Sequence, residues 1–177
     1  MSLDHETAQS RSTLIRKGSI SYNFNIIFSQ EHYYGLAEVS FYLERVDFTE
    51  LPLDFSGTLI EDVIINDKRF MPKSTNNFLL LPRGYLQKGR NRLSVMYTNS
   101  YNNDRSGCVT FEDKGEQFIY TDFEPYGANR VFPCFDQPNL KAKMKIALVT
   151  PPSWNALSNE PPKSINTFHL KTYQDLH

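Results

Sequence analysis

Apolar residues recur at every second position in one stretch after another of this 177-residue chain. In SISYNFNIIF (19–28), Ile20, Tyr22, Phe24, Ile26 and Phe28 fall on one side and Ser21, Asn23 and Asn25 on the other. In AEVSFYLE (37–44), Ala37, Val39, Phe41 and Leu43 alternate with Glu38, Ser40, Tyr42 and Glu44. A period of two sends side chains to opposite faces of an extended chain, so each stretch reads as a strand with one face to bury. The same reading applies to TLIEDVIIND and KRF (58–70), joined by a turn at Asn66–Asp67, and to NFLLLP (77–82), GRNRLSVMYTN (89–99) and EQFIYTDFE (116–124). It applies also to KAKMKIALVTP (141–151), where Ala142, Met144, Ile146 and Leu148 oppose three lysines, and to INTFHLKTY (165–173).

Turn residues separate these runs at intervals of about 8–15 residues, the rhythm of an all-β sandwich. RGYLQKG is the one place that reads as a helical turn. Sheets with one wet face produce clean alternation when their strands are antiparallel. The expected fold is therefore all-β, a sandwich of mostly antiparallel strands. Residues 1–13 read as a frayed, disordered tail and residues 14–177 as a single domain.

Charge narrows the function. The formal net charge is −1, without the basic excess of a nucleic-acid or anionic-membrane binder. No stretch is long and apolar enough for a signal peptide or a membrane span, and the two cysteines, Cys108 and Cys134, imply no disulfide framework. The expectation is a cytoplasmic protein that meets neither nucleic acid nor membrane.

Catalytic motifs are missing. HETAQ (5–9) starts like the H-E-x-x-H of a metallopeptidase helix, but Gln9 stands where the second histidine is required. No nucleophile elbow, P-loop or dinucleotide fingerprint occurs. The reading gives this chain no catalytic residue, no metal ligand and no cofactor of its own.

One stretch breaks the strand rhythm: FEPYGANRVFPCFDQPNLKA (123–142). Pro125, Pro133 and Pro138 fix their own φ and push the preceding residues toward extended backbone. Asp136, just ahead of a Gln-Pro step, suits a side-chain-capped turn, and Phe132 and Phe135 supply apolar anchors. Asp122 and Glu124 stand two apart at its entrance, on one face if the strand runs through them. Two neighbouring carboxylates each welcome a cation. Stiff loops on a scaffold hold binding groups in place, and a bend of this kind also serves as a plain corner between sheets.

The run Asp122-Phe123-Glu124-Pro125, then Ala128-Asn129-Arg130-Val131-Phe132-Pro133-Cys134-Phe135-Asp136-Gln137-Pro138 and Lys141-Ala142, resembles the N-terminal domain of the aminopeptidase N family of zinc metallopeptidases (gluzincins). The resemblance is specific over residues 99–159. It departs in two places: Asp122 stands where Gln is usual, and Asn129 where Arg is usual. The resemblance implies a saddle-like all-β N-terminal domain packed on a catalytic domain of the same parent chain. That domain would carry the zinc with its H-E-x-x-H and distal Glu, none of which occurs here. It implies that Glu124, with Asp122 beside it, faces the free α-amino group of a peptide substrate. Pro125, Arg130, Phe132, Pro133, Asp136 and Pro138 would form the loop that holds it. Alone, such a domain would be inactive. Two alternatives remain within the resemblance: a non-catalytic β-sandwich that serves as scaffold or protein-interaction module, and a sister chemistry of epoxide hydrolysis.

Overall fold

A computed structural model describes residues 3–72, 74–75 and 77–167. The chain opens with helix α1 (His5–Leu14) and continues through β1 (Ile20–Phe28), β2 (His32–Leu43), β3 (Glu50–Asp54) and β4 (Leu59–Ile65). Then follow β5 (Lys68–Phe70), β6 (Ser74–Thr75), β7 (Phe78–Pro82), β8 (Gly89–Ser100), β9 (Gly107–Asp113), β10 (Glu116–Asp122) and β11 (Ala142–Val149). Short 3-10 turns occupy Arg83–Tyr85 and Ala128–Arg130.

Six strands form the main sheet in the order β11-β1-β2-β8-β4-β5, a second sheet runs β3-β7-β6, and β9 and β10 make a separate two-stranded ribbon. All pairings are antiparallel except β1 with β11. The molecule is an all-β, sandwich-like fold, as the alternation requires.

The alternation is realised residue by residue. Ile20, Tyr22, Phe24 and Ile26 of β1 and Ala37, Val39, Phe41 and Leu43 of β2 are buried, and Leu93, Val95 and Tyr97 of β8 join them. Leu51, Leu53, Leu79 and Leu81 close the core from the smaller sheet. Asn66 and Asp67 have φ of 48° and 66°, the left-handed pair that a two-residue hairpin turn needs. Gly35 lies opposite Tyr97 in the β2–β8 ladder, and a Cβ there would fall 2.0 Å from the tyrosine ring. Gly35→Ala is expected to destabilise the chain by about 1–3 kcal/mol through overpacking, read as a lower urea midpoint with an unchanged m-value.

Two expectations need correction. Most of the stretch expected to be a frayed tail is ordered, because His5–Leu14 form a helix capped by the Asp4 side chain, which accepts from the Thr7 N–H at 2.8 Å. Its apolar pattern is faint, so periodicity misses it; it docks through the fully buried Arg11 and the buried Leu14 at its end. The apolar row of β11 is also not core. Met144, Ile146 and Leu148 align with Tyr22, Phe24 and Ile26 on the core-facing side of the sheet, yet stay 54%, 44% and 39% exposed at its edge. The strand expected at 165–173 lies outside the described residues from 168 onward, and 165–167 are not in a strand.

Candidate functional site

The bend at 123–142 is built from three kinds of contact. The first is apolar. Phe132 stacks on Phe24 of β1 with ring centroids 4.0 Å apart and meets Phe123 edge-on at 5.6 Å. Phe135 meets Phe41 of β2 edge-on at 5.3 Å. Val131, Phe132, Pro133, Cys134 and Phe135 are all buried. The middle of the bend is therefore part of the core, and burial in turn pushes the Cys134 thiol well above its ordinary pKa.

The second is local hydrogen bonding. Asp136 accepts from both the backbone N–H and the side-chain amide of Asn129, at 3.0 and 2.9 Å. Asn129 is buried and closes a loop within the bend. Arg130 turns outward and pairs with Asp104 at 2.9 Å, which lowers the Asp104 pKa. Pro125 and Pro138 are exposed, and the Glu124–Pro125 peptide is cis.

The third is a buried ion pair that sequence reasoning missed. Arg11 of α1 and Asp54 at the end of β3 are both fully buried, with Nη1 to Oδ2 at 2.6 Å and Nη2 to Oδ1 at 3.0 Å. Asp54 also accepts from the Tyr126 hydroxyl at 2.5 Å and the Asp136 N–H at 2.9 Å. Its backbone exchanges two hydrogen bonds with Cys134. Gln137 donates to the Ala8 carbonyl and to Ser12 of the helix, both at 2.9 Å. Acid and arginine are 43 positions apart, and nothing in the residue pattern links them.

Glu124 and Asp122 sit outside this packed part. β10 stops at Asp122, so the two do not share a strand face; instead Asp122 Oδ1 accepts from the Glu124 N–H at 3.2 Å. Both side chains are exposed. Among the described residues, the Glu124 carboxylate has neither a hydrogen-bond donor nor a cationic partner of its own. An acid held at the rim of a rigid bend, with its oxygens free, is placed to receive a cation from another body. The ribbon that leads into the bend exposes Phe111, Phe118 and Tyr120, with Phe111 and Phe118 stacked at 5.1 Å. Among the described residues no group of three histidines, cysteines or acids is arranged to hold a metal ion.

The sequence profile described as the peptidase M1 N-terminal domain matches residues 17–173. The chain belongs to that family. Within it, the M1 N-terminal domain is 28% identical over 163 residues to aminopeptidase N of Streptomyces lividans, covering 90% of this chain and 19% of that protein. It is 33% identical over 125 residues to the mitochondrial aminopeptidase 2 of Saccharomyces cerevisiae, covering 66% of this chain and 13% of the relative. The chain thus spans about a fifth or less of the curated relatives it matches. In fold, the M1 domain resembles the M1 zinc metallopeptidase of Deinococcus radiodurans, with a TM-score of 0.60 at 18% identity over 79% of this chain and 34% of that one. The specific resemblance read from residues 99–159 is therefore matched by a family assignment over most of the chain.

Proposed function

We propose that this domain belongs to a zinc aminopeptidase and supplies the carboxylate that anchors the substrate's α-amino group. The observation that carries the reading is Glu124: exposed, without a partner for its carboxylate among the described residues, and held by its backbone at the entrance of a buried bend. A peptide α-amino group has a pKa of about 8 and is mostly protonated at neutral pH. A positioned carboxylate forms a charge-assisted hydrogen bond to it, whereas an internal peptide nitrogen offers no charge. An acid at a closed end of the cleft therefore selects chain ends and measures out one residue. Asp122 adds negative charge beside it and holds the Glu124 backbone. A variant of the Deinococcus radiodurans M1 zinc metallopeptidase is bound to a Tyr-Ser-Ala substrate.

The zinc belongs to the catalytic domain of the parent chain, where it would activate the attacking water. Among the described residues, acids, histidines and cysteines form no cluster that could bind one. The exposed aromatic row on β9 and β10 offers that domain an apolar surface on the ribbon that leads to Glu124. Nothing in the reading requires a membrane or a nucleic acid, and among the described residues no helix is long and apolar enough to cross a bilayer.

Two measurements test this. The purified chain is expected to bind no stoichiometric zinc and to release no amino acid from aminoacyl substrates, while the full-length parent does both. Turnover by the chain alone would remove the division of labour. A parent that binds no zinc and cleaves no peptide would leave a scaffold of the same fold.

A further inference from the structure

The buried Arg11–Asp54 pair lies far in sequence from Glu124, yet its hydrogen bonds end two residues away from it. Glu124 sits in a turn closed by the Gly127 N–H donating to the Phe123 carbonyl at 2.9 Å. Gly127 packs so tightly there that a Cβ would fall 2.8 Å from the Asp122 carbonyl oxygen and 2.9 Å from Ser106 Oγ. Inside that turn Tyr126 points back into the protein, and its hydroxyl donates to Asp54 Oδ1. The same carboxylate takes the Asp136 N–H on its other oxygen. Asp54 therefore grips the bend at both ends, at Tyr126 and at Asp136, while Arg11 neutralises it from the helix.

The arrangement is costly unless every group is satisfied, because a buried carboxylate loses its hydration. Here the Asp54 side chain accepts four hydrogen bonds, and the Arg11 Nε–H donates to the Pro52 carbonyl at 3.1 Å. A carboxylate held by four donors favours one geometry where apolar packing would allow several. The aromatic rings bury the bend from Val131 to Phe135 and, through Phe123 on Phe132, reach the first residue of the turn. The far side of the turn, at Tyr126, is tied by the polar network.

We propose that Asp54, charged and oriented by Arg11 and acting through Tyr126, is a positioning residue for Glu124, so that the N-terminal helix sets the grip on the substrate's amino end. This rests on the reading of Glu124 as the amine anchor. Neither Asp54 nor Tyr126 needs to touch substrate. Their work is to hold the 123–127 turn so that the free carboxylate faces one direction. The ring of Tyr126 can stay in place without its hydroxyl, which makes Tyr126→Phe the mildest cut through the network.

The test uses the full-length parent and a pair of zinc-directed hydroxamates, one an amino acid hydroxamate and the other its desamino analogue. In Tyr126→Phe the amine-bearing inhibitor is expected to bind about tenfold more weakly, with the desamino analogue unchanged, so that the preference for the amine collapses. A loss of stability would weaken both inhibitors or neither. Amide hydrogen exchange at Gly127 and Asp136 is expected to quicken by about tenfold in the same variant, a readout that needs no turnover. Asp54→Asn, if it folds, should show the same pattern more strongly. Glu124→Gln run in parallel separates the two levels. If it leaves the amine preference intact, the anchor reading fails. If it abolishes that preference while Tyr126→Phe leaves both preference and exchange untouched, only the positioning role is overturned.

Discussion

In the full-length parent, Glu124→Gln is expected to lower kcat/KM by about one to two orders of magnitude. The substitution keeps the size and shape of the side chain. What it removes is the charge that an α-ammonium would meet, and a hydrogen bond to a charged group contributes about 1.5–3 kcal/mol. The effect should depend on the substrate's charge, falling away for substrates whose amino group is blocked. The free state of the carboxylate sharpens the expectation. Among the described residues, no arginine or lysine competes for it, so the lost interaction has no local substitute. Steady-state kinetics with amino acid para-nitroanilides measure it, and unchanged constants would take Glu124 out of the site.

Arg11→Ala is expected to cost the domain about 3–5 kcal/mol, because it leaves Asp54 buried with its charge uncompensated. Only the Tyr126 hydroxyl and the Asp136 N–H would remain on that carboxylate. In a domain of this size the loss corresponds to a fall in Tm of roughly 6–20 °C. The cost comes from the missing partner, not from the net worth of the pair. Arg16→Ala is the contrast. Arg16 pairs with Glu44 at 2.6 Å, but both side chains are about half exposed, so solvent screens the loss and the change should be small. Thermal unfolding followed by circular dichroism measures both, and similar small shifts would mean that Asp54 finds another donor.

The strands were legible because each carries its own pattern. A period of two in β1, β2 and β8 needs no knowledge of what lies opposite, and the Asn66–Asp67 turn announces itself by residue type. β3 was not legible: ELPLD has a proline in the middle and one short run, and it is held by the ladder to β7 and not by local preference. The helix was hidden for the same reason. HETAQSRSTL lacks an apolar stripe, and its docking rests on Arg11 finding Asp54 across the fold. The Asp4–Thr7 cap was the available signal, and it marks a helix start without saying that the helix will be held.

The candidate site divides in the same way. Glu124 stood out because prolines and aromatics crowd around it in sequence. The groups that hold its turn, Asp54 and Arg11, come from strand β3 and helix α1, more than 60 residues upstream. Asn129 reads in sequence as a lost cation; in the fold it is a buried donor to Asp136, so the departure from arginine has a structural occupation of its own.

The central claim is that the Glu124 carboxylate receives the amino end of a peptide. A crystal structure of the full-length parent with a bound peptide tests this most directly. The account predicts a Glu124 carboxylate oxygen about 2.7–2.9 Å from the peptide's α-ammonium nitrogen, with Tyr126 still on Asp54. An α-ammonium held by other acids, with Glu124 facing solvent, would contradict it.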